Sequence, residues 1–312
     1  MTKRESFVAK VIVTGGAGFI GSHLCDALIE RGDYVVCIDS LVGTDGSTRN
    51  IDHLLENPRF EFIEADISEF ASYANHAQPN PWTGVDCVFN LAAAKNVVCM
   101  NDPVRDLATN AVGTLQLLQS AKASGVRKFV HASTGSVYGE SDQTLSEDHP
   151  RNPASFYGIS KTAGDSYCRL FTDLYGMNCS VLRYFHVIGS RQSLAGVVPI
   201  FVTQAVAGNP LTIYGSGKQE RSFTSVHDVV RANLLASEQD SGVYNVASGV
   251  KVTIRELAEF IIAETESKSE ILYEDWRAGD VIKFNVDNSK IDMSFSQDWQ
   301  AAVREVIEER SE

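Results

Sequence analysis

The sequence predicts an α/β fold built on a doubly wound parallel sheet, followed by a smaller mixed α/β region. Short apolar runs alternate with amphipathic segments through about the first 185 residues. A glycine-rich turn follows the first run, and the chain of 312 residues, 44% of them hydrophobic, can bury a large core. We predict a first domain over residues 1–181, onto which 224–247 packs back, and a second region over 182–312.

Each element follows from the spacing of its apolar residues. Short continuous apolar runs indicate buried strands, and apolar residues that repeat at helical spacing indicate helices. Beyond the first region the pattern is mixed, with turns at 208–210 and 214–217. The predicted strands are 7–13, 34–38, 60–65, 87–91, 129–132, 179–184 and 243–246, and the predicted helices are 22–29, 104–124, 156–175, 229–238 and 254–263.

The glycine-rich turn indicates a dinucleotide-binding site of the Rossmann type. Gly15 permits the tight turn, Gly18 lets backbone N–H groups approach a pyrophosphate, and Gly21 lets the helix pack close to the strand. Glycines also serve ordinary turns, but the second strand ends at Asp39, whose carboxylate can accept from both ribose hydroxyls and repels a 2′-phosphate. The sequence therefore favours NAD over NADP, bound by Gly15, Gly18, Phe19, Ile20, Gly21 and Asp39.

Charge and composition exclude several other classes of function. The formal net charge of −13 argues against a nucleic-acid surface, so an anionic ligand must be held by a few local cations. The N-terminus lacks a signal-peptide core and no apolar run approaches about 20 residues, which predicts a cytoplasmic protein without a membrane partner. The six cysteines are scattered without a metal-type pair, so we expect neither a disulfide nor a bound metal.

Two polar clusters indicate catalysis at the carboxyl end of the sheet. Ser133, Thr134 and Ser136 follow a buried strand. Tyr157 and Lys161 stand four residues apart and therefore lie on one face of a helix. Alone, such a pair is usually exposed and without function. Here it follows the glycine turn and the Ser-Thr strand end, in that order, which favours a catalytic pair. A nearby cation and a positively charged nicotinamide would lower the pKa of the phenol towards neutrality. The phenolate can then take a proton from a sugar hydroxyl while hydride leaves the same carbon.

The chain resembles the extended short-chain dehydrogenase/reductase family, in particular its NAD-dependent nucleotide-sugar epimerases and dehydratases. The resemblance covers nearly the whole chain and implies a nucleotide-sugar substrate held by the second region. Its landmarks are 14–21, Asp39, 66–67, 90–93, Asn110 with 113–114, 133–139, 157–161, 183–185, 211–215, Arg221, Asp228 and 277–280.

The resemblance implies roles for further residues. Asp66 and Ile67 would flank the adenine, and Lys95 would contact the cofactor. Arg221 and Arg277 would clamp the sugar diphosphate, because guanidinium groups match phosphate oxygens. The other cofactor residues implied are Leu91, Ala92, Ala93, Asn110, Ser133, Tyr157, Lys161 and Tyr184, and the other substrate residues are Lys95, Thr134, Ser136, His186, Gly196, Tyr214, Asp280 and Phe284.

Missing acids narrow the reaction that the resemblance implies. Members that remove water or carbon dioxide usually carry a glutamate two residues before Tyr138, where this chain has Ser136, and 4,6-dehydratases carry an aspartate where it has Gly135. Thr134 would hydrogen-bond the reacting hydroxyl. Together with the catalytic pair of Tyr157 and Lys161, it can move one hydroxyl proton alongside a hydride. That inventory resembles UDP-glucose/galactose 4-epimerases, which oxidise C4, turn the 4-keto sugar over and return the hydride to its other face.

Alternatives to this reading stay open. His186 stands where an asparagine commonly touches the substrate, and Ser222 replaces a common aspartate, so the sugar could be UDP-glucuronate or a UDP-N-acetylhexosamine. The same fold carries NAD(P)-dependent nucleotide-sugar reductases and dehydrogenases, and a catalytically silent dinucleotide sensor is a further class. Phe284 aligns with a gate residue that is bulky in enzymes restricted to plain hexoses, which favours UDP-glucose; a core position on a short strand is its alternative.

Two helices predict a homodimer. The helices that begin near Val104 and Phe156 carry more apolar residues than packing on one side of a sheet requires. Members of the resembled family pair these helices across a two-fold axis into a four-helix bundle. We therefore expect a homodimer; the apolar residues on these two helices include Leu115, Leu117, Leu118, Tyr167, Leu170, Phe171 and Leu174.

Overall fold

The computed structural model describes residues 9–70, 80–94, 96–194, 196–275 and 285–311. They fall into two compact units. The first comprises Met1–Gly139, Pro153–Arg183 and Val230–Val243, and the second Glu140–Asn152, Tyr184–Val229 and Tyr244–Glu312. Within the described ranges, no helix combines the length and the apolar character that crossing a membrane requires.

Seven strands, those of the central sheet, follow the seven predicted apolar runs closely, and the short strands were not predicted. Most boundaries shift by one or two residues, because polar residues at the ends of a strand do not show in an apolar pattern. The strands are β1 Lys10–Thr14, β2 Tyr34–Asp39, β3 Phe60–Glu64, β4 Cys87–Asn90, β5 Lys128–Thr134, β6 Thr144–Leu145, β7 Asn178–Tyr184, β8 Val187–Ile188, β9 Leu211–Tyr214, β10 Glu220–Arg221, β11 Thr224–Ser225, β12 Gly242–Val246, β13 Val252–Thr253, β14 Ile271–Glu274 and β15 Asn285–Val286.

The central sheet has seven strands in the order β12-β7-β5-β4-β1-β2-β3. Its strands from β3 through β2, β1 and β4 to β5 are paired in parallel, with Val13 opposite both Cys37 and Phe89. The order reverses direction between β1 and β4, and open α/β sheets bind ligands at the carboxyl ends of strands at such a point. The predicted doubly wound parallel sheet is therefore confirmed.

The helices begin and end at identifiable signals. The side chain of Ser155 caps the helix Phe156–Tyr175 by accepting from the N–H of Gly158, and left-handed glycines end that helix and the helix Phe19–Arg31, with φ of +64° at Gly176 and +101° at Gly32. The helices are α1 Phe19–Arg31, α2 Asn96–Asn101, α3 Pro103–Leu107, α4 Thr114–Ala123, α5 Phe156–Tyr175, α6 Val197–Val206, α7 Val226–Glu238, α8 Ile254–Glu264 and α9 Trp299–Ser311.

The single helix predicted over 104–124 is divided in the structure. A segment of π-helix, Ala108–Gly113, joins α3 to α4. The wider turn alters the backbone pairing, and the hydroxyl of Thr114 donates to the carbonyl of Asn110 at 2.8 Å. Apolar spacing could not reveal this change of helix type, since it leaves the buried face nearly continuous.

The packing of these helices corrects part of the predicted dimer face. Leu117 and Leu118 of α4 and Phe171 of α5 lie in the core of the first unit, together with Val36 and Phe129 of the sheet. They face inward because their spacing places them on the sheet side of each helix. The exposed apolar side chains of this region are instead Met100, Val104, Leu107, Val112, Phe156, Ile159, Leu170, Leu174 and Tyr175.

The second unit has its own core and four short ladders. The pairs β9–β14, β8–β11 and β6–β15 are parallel, and β10–β13 is antiparallel. Helices α6, α8 and α9 bury Val202, Leu257 and Val303 in one cluster. A reciprocal cap between Thr253 and Glu256 starts α8.

Candidate active site

The glycine turn between β1 and α1 is packed so tightly that side chains are excluded. Gly15 has φ of +68°, and a Cβ there would lie 2.7 Å from the backbone nitrogen of Ala92, beyond β4. A Cβ on Gly21 would overlap the carbonyl of Gly15. Gly18 caps α1 and has no side chain that could bind the N–H groups of the first turn. This turn begins with Phe19 and Ile20, and its N–H groups can bind an anion.

Asp39 and Asn50 hold this turn from opposite sides. One carboxylate oxygen of Asp39 accepts from the N–H of Ala17 at 3.0 Å and the other from that of Leu41 at 2.8 Å. The buried amide of Asn50 donates to the carbonyl of Ala17 at 2.9 Å. A carboxylate oxygen can accept more than one hydrogen bond, so Asp39 can also receive a ribose hydroxyl, and the residues present fit an adenosine dinucleotide. Sequence reasoning missed Asn50, since nothing in its spacing relates it to the glycines.

The predicted catalytic residues come together at the carboxyl end of β5. Thr134 ends that strand, and its side chain hydrogen-bonds to the phenol of Tyr157 on α5. The Thr134 hydroxyl also donates to that of Ser136 at 3.2 Å and accepts from the Ser136 N–H at the same distance. Lys161 lies one turn further along α5 and is 1% exposed. Gly158, between them, packs so closely that a Cβ would lie 2.7 Å from the carbonyl of Ser136.

In the chain alone, burial dominates the electrostatics of this pair. The pKa of Tyr157 is raised to about 12, mainly by burial; nearby Cys99, Asp106 and Asp165 also raise it, and the Thr134 hydrogen bond lowers it. Burial also lowers the pKa of Lys161 to about 8, while Asp165 and Asp106 oppose that shift. The lysine therefore does not by itself bring the phenol towards neutrality.

Other predicted cofactor residues surround β4 and the π segment. Asn110 accepts from the N–H of Ala94 at 2.9 Å, which fixes the backbone just after Leu91, Ala92 and Ala93. Ile67 is buried against Gly113. The carboxylate of Asp66 accepts from the N–H and hydroxyl of Ser68, within its own turn. Ser133 and Tyr184 are buried at the ends of β5 and β7, and the hydroxyl of Ser133 has no hydrogen-bond partner among the described residues.

Several predicted substrate residues lie in the second unit. His186 has φ of +38°, and burial together with the charge of Arg221 lowers its pKa to about 3, so the ring is neutral at physiological pH. Its ring meets Phe223 edge to face. Tyr214 ends β9, and Gly196 caps the start of α6. The predicted residues Lys95, Arg277, Asp280 and Phe284 lie outside the described residues.

Comparisons with known proteins show the family of this chain. The model of the "NAD dependent epimerase/dehydratase family" matches residues 11–247. The UDP-glucose 4-epimerase of Mycolicibacterium smegmatis is 36% identical over 96% of each chain, and UDP-glucuronic acid decarboxylase 1 of Arabidopsis thaliana is 33% identical over 95% of this chain and 67% of that protein.

Solved structures show the same likeness. A UDP-glucose 4-epimerase from Thermotoga maritima with UDP-glucose has a TM-score of 0.88 at 34% identity, covering 96% of this chain and 98% of the other. A UDP-glucuronic acid 4-epimerase from Bacillus cereus with UDP-glucuronic acid and NAD has a TM-score of 0.87 at 30% identity, with the same coverage. The chain therefore belongs to the NAD-dependent epimerase/dehydratase family and is an enzyme of the nucleotide-sugar type, with NAD as its cofactor.

Proposed function

We propose that this enzyme interconverts UDP-glucose and UDP-galactose by epimerisation at C4. The hydrogen-bonded pair of Thr134 and Tyr157 carries the proposal, with Lys161 buried on the same helix face. Gly135 and Ser136, the positions beside this pair, offer no carboxylic acid. These described positions are thus suited to moving a hydroxyl proton, and they do not supply the extra base that removal of water or carbon dioxide requires.

The residues of the site have distinct tasks in this reaction. When bound, NAD would supply a hydride acceptor for C4 of the sugar and the source from which that hydride comes back. Tyr157 removes the proton of the 4-hydroxyl and gives it back after the sugar has turned over. Thr134 stabilises the ionised phenol and orients the reacting hydroxyl. The carboxylate of Asp39 holds the adenosine ribose, while the first turn of α1 receives the pyrophosphate.

The second unit supports a nucleotide-diphosphate sugar. Arg221, on β10, supplies the cation that a diphosphate needs in a protein of net charge −13. The neutral imidazole of His186 can donate or accept a hydrogen bond without adding charge. We keep Phe284 as the proposed gate for C2 substituents, so UDP-glucose should react faster than UDP-N-acetylglucosamine, and Phe284→Ser should narrow that difference.

Proton NMR of the purified enzyme with single nucleotide sugars tests the proposal. UDP-glucose should yield UDP-galactose without added NAD, and in D₂O the C4 position should stay free of deuterium, since the hydrogen returns from the cofactor. Net formation of NADH would identify a dehydrogenase instead. Turnover of UDP-glucuronate alone would show the C4 chemistry to be right and the sugar wrong, and release of carbon dioxide from it would refute 4-epimerisation.

We also propose that the enzyme is a homodimer. Exposed apolar side chains on α3, the π segment and α5 lie within one region, and Val104, Leu107 and Leu174 are each more than half exposed, at 76%, 51% and 61%. Apolar surface of this extent on neighbouring helices is typical of an interface. Light scattering should give twice the chain mass at micromolar concentration, and a stable monomer would contradict the assignment.

A further inference from the structure

A buried carboxylate lies beneath the catalytic helix. Asp106, on α3, is 1% exposed, and one of its oxygens accepts three hydrogen bonds. The donors are the thiol of Cys99 at 3.0 Å, the amide of Asn110 at 2.5 Å and the hydroxyl of Ser160 at 2.8 Å. These donors come from α2, the π segment and α5, and Asp106 itself lies on α3. A single oxygen atom therefore joins four helical segments.

Two of these three hydrogen bonds, those from Ser160 and Asn110, lead to different parts of the active site. Ser160 directly precedes Lys161 and also contacts the carbonyl of Tyr157 at 3.0 Å. Asn110 donates to the hydroxyl of Ser160 at 3.1 Å and accepts from the backbone N–H of Ala94 at 2.9 Å. The network therefore connects the helix that carries the catalytic pair to the backbone that follows β4.

Burying a carboxylate is costly unless hydrogen bonds and charges compensate it. Three donors on one oxygen supply the hydrogen bonds, and the ammonium of Lys161 is the nearby positive charge. Such a network has one well-satisfied arrangement, because moving any member leaves another polar group buried without a partner. A buried carboxylate is costly to keep, and this one is hydrogen-bonded to Ser160, the residue next to Lys161, which indicates a role in catalysis.

We propose that Asp106 is a positioning residue: its carboxylate binds Ser160 and Asn110 together and so holds Tyr157 and Lys161 in register with the backbone at Ala94. The proposal rests on the proposed function in taking Tyr157 and Lys161 as the reacting pair. It adds a residue that touches neither cofactor nor substrate and acts through the catalytic helix.

The charge of Asp106 gives a signature that a purely structural residue would not have. Lys161 is faced by Asp165 and Cys168 on its own helix, by Asp106 and Cys99 on α3 and α2, and by His131 on β5. The negative charge of Asp106 raises the pKa of both Lys161 and Tyr157. Neutralising it should lower both pKa values together.

The test compares Asp106→Asn with Ser160→Ala and with the control Asp102→Asn. Asp102 is the exposed cap of α3, and asparagine caps a helix equally well. We expect Asp106→Asn to lower the maximal kcat by about 10–100-fold with little change in KM, since hydrogen bonds to a charged group are lost. The ascending and the descending limb of the plot of kcat against pH should both move to lower pH in Asp106→Asn. Ser160→Ala should lower kcat without moving the limbs, and the control should match the wild type.

Absorbance titration of tyrosinate provides a readout that needs no turnover. The difference between each enzyme and its Tyr157→Phe version reports Tyr157 alone, and its pKa should fall in Asp106→Asn. Were the wild type to convert no nucleotide sugar, the proposed function would fail while this titration still decided the role of Asp106.

Wild-type kcat and an unshifted profile in Asp106→Asn would overturn the proposal, and so would a loss of kcat with unmoved limbs. Should that variant not fold, Ser160→Ala and Cys99→Ala, which both keep the carboxylate, carry the test. Each should lower the maximal kcat by about 3–10-fold, the effect of losing one hydrogen bond. Wild-type kcat in both variants would equally overturn the proposal.

Discussion

Replacing Thr134 by valine should shift the activity of the enzyme to higher pH. The side chain of Thr134 hydrogen-bonds to the phenol of Tyr157 and lowers its pKa, against a larger opposing effect of burial. A hydrogen bond to a charged group contributes about 1.5–3 kcal/mol, and about 1.4 kcal/mol corresponds to one pKa unit. Because the bond favours the phenolate, its loss should raise the pKa of Tyr157 by about one to two units.

The assay measures kcat for UDP-galactose from about pH 6 to about pH 10, with the product oxidised by UDP-glucose dehydrogenase and read as NADH. The ascending limb should move up by about one to two pH units, and kcat near neutral pH should fall about 10–100-fold. Thr134→Ser keeps the hydroxyl and should retain the wild-type limb. Ser136→Ala removes the other partner of Thr134, 3.2 Å away, and separates the loss of that contact from the effect on Tyr157.

Two results would refute this reasoning. A Thr134→Val profile that overlays the wild type would show that the hydroxyl does not act on Tyr157. A uniform loss of kcat with an unmoved limb would show that Thr134 places the substrate and leaves the phenol unchanged. Circular dichroism should match the wild type because valine has a similar shape, while the melting temperature should fall slightly because valine cannot accept from the N–H of Ser136.

Three further variants test other parts of the structure. Tyr157→Phe should lower kcat by about 10²–10⁴-fold while the bound NAD content stays constant, and near-wild-type turnover would remove Tyr157 from the mechanism. Lys128→Met should lower the free energy of unfolding in urea by about 2–4 kcal/mol, because the buried ammonium donates to four oxygens. Burial lowers the pKa of Lys128 from 10.5 to about 8, so the unfolded chain binds more protons than the folded protein between these two pH values. The free energy of unfolding of the wild type should therefore increase as the pH rises from about 8 to 10.5, and the variant should lack this increase. Leu174→Asp should dissociate the proposed dimer in light scattering, whereas Leu272→Asp, an equally apolar exposed site at 45%, should leave it intact.

The sheet could be predicted because its strands are buried on both faces. Strands of a covered parallel sheet form continuous apolar runs, and the runs were found where the strands lie. The strand predicted over 129–132 extends over Lys128–Thr134 in the structure. Its polar ends were missed because Lys128 resembles an exposed residue in sequence, although its ammonium is buried among Asn178, Ser180 and two carbonyls.

The site could be predicted only where local motifs carry it. The glycine turn, Asp39 and the Tyr157-Lys161 spacing are each determined by a few neighbouring residues. Asn50 and Asp106 act through hydrogen bonds to residues that lie elsewhere in the chain, such as Ala17 and Ser160. No periodicity or spacing encodes such contacts, because they depend on how the elements pack.

The pKa of Tyr157 should also depend on the charge that a ligand brings into the site. In the chain alone, burial with Asp106 and Asp165 favours the neutral phenol, whereas burial favours neutral Lys161. An added positive charge near the phenol stabilises its ionised form, and a neutral ligand of the same shape does not.

Tyrosinate absorbance, taken as the difference from Tyr157→Phe, should therefore show a pKa well above 10 in the cofactor-free protein, a much lower one with NAD⁺ and a high one with NADH. Such a difference in pKa would make Tyr157 a base while hydride leaves the sugar and an acid once the cofactor holds that hydride. A reversible epimerisation requires both roles. Equal values with the two forms of the cofactor would mean that the charge of the nicotinamide does not reach the phenol, and the proton transfer would then need another explanation.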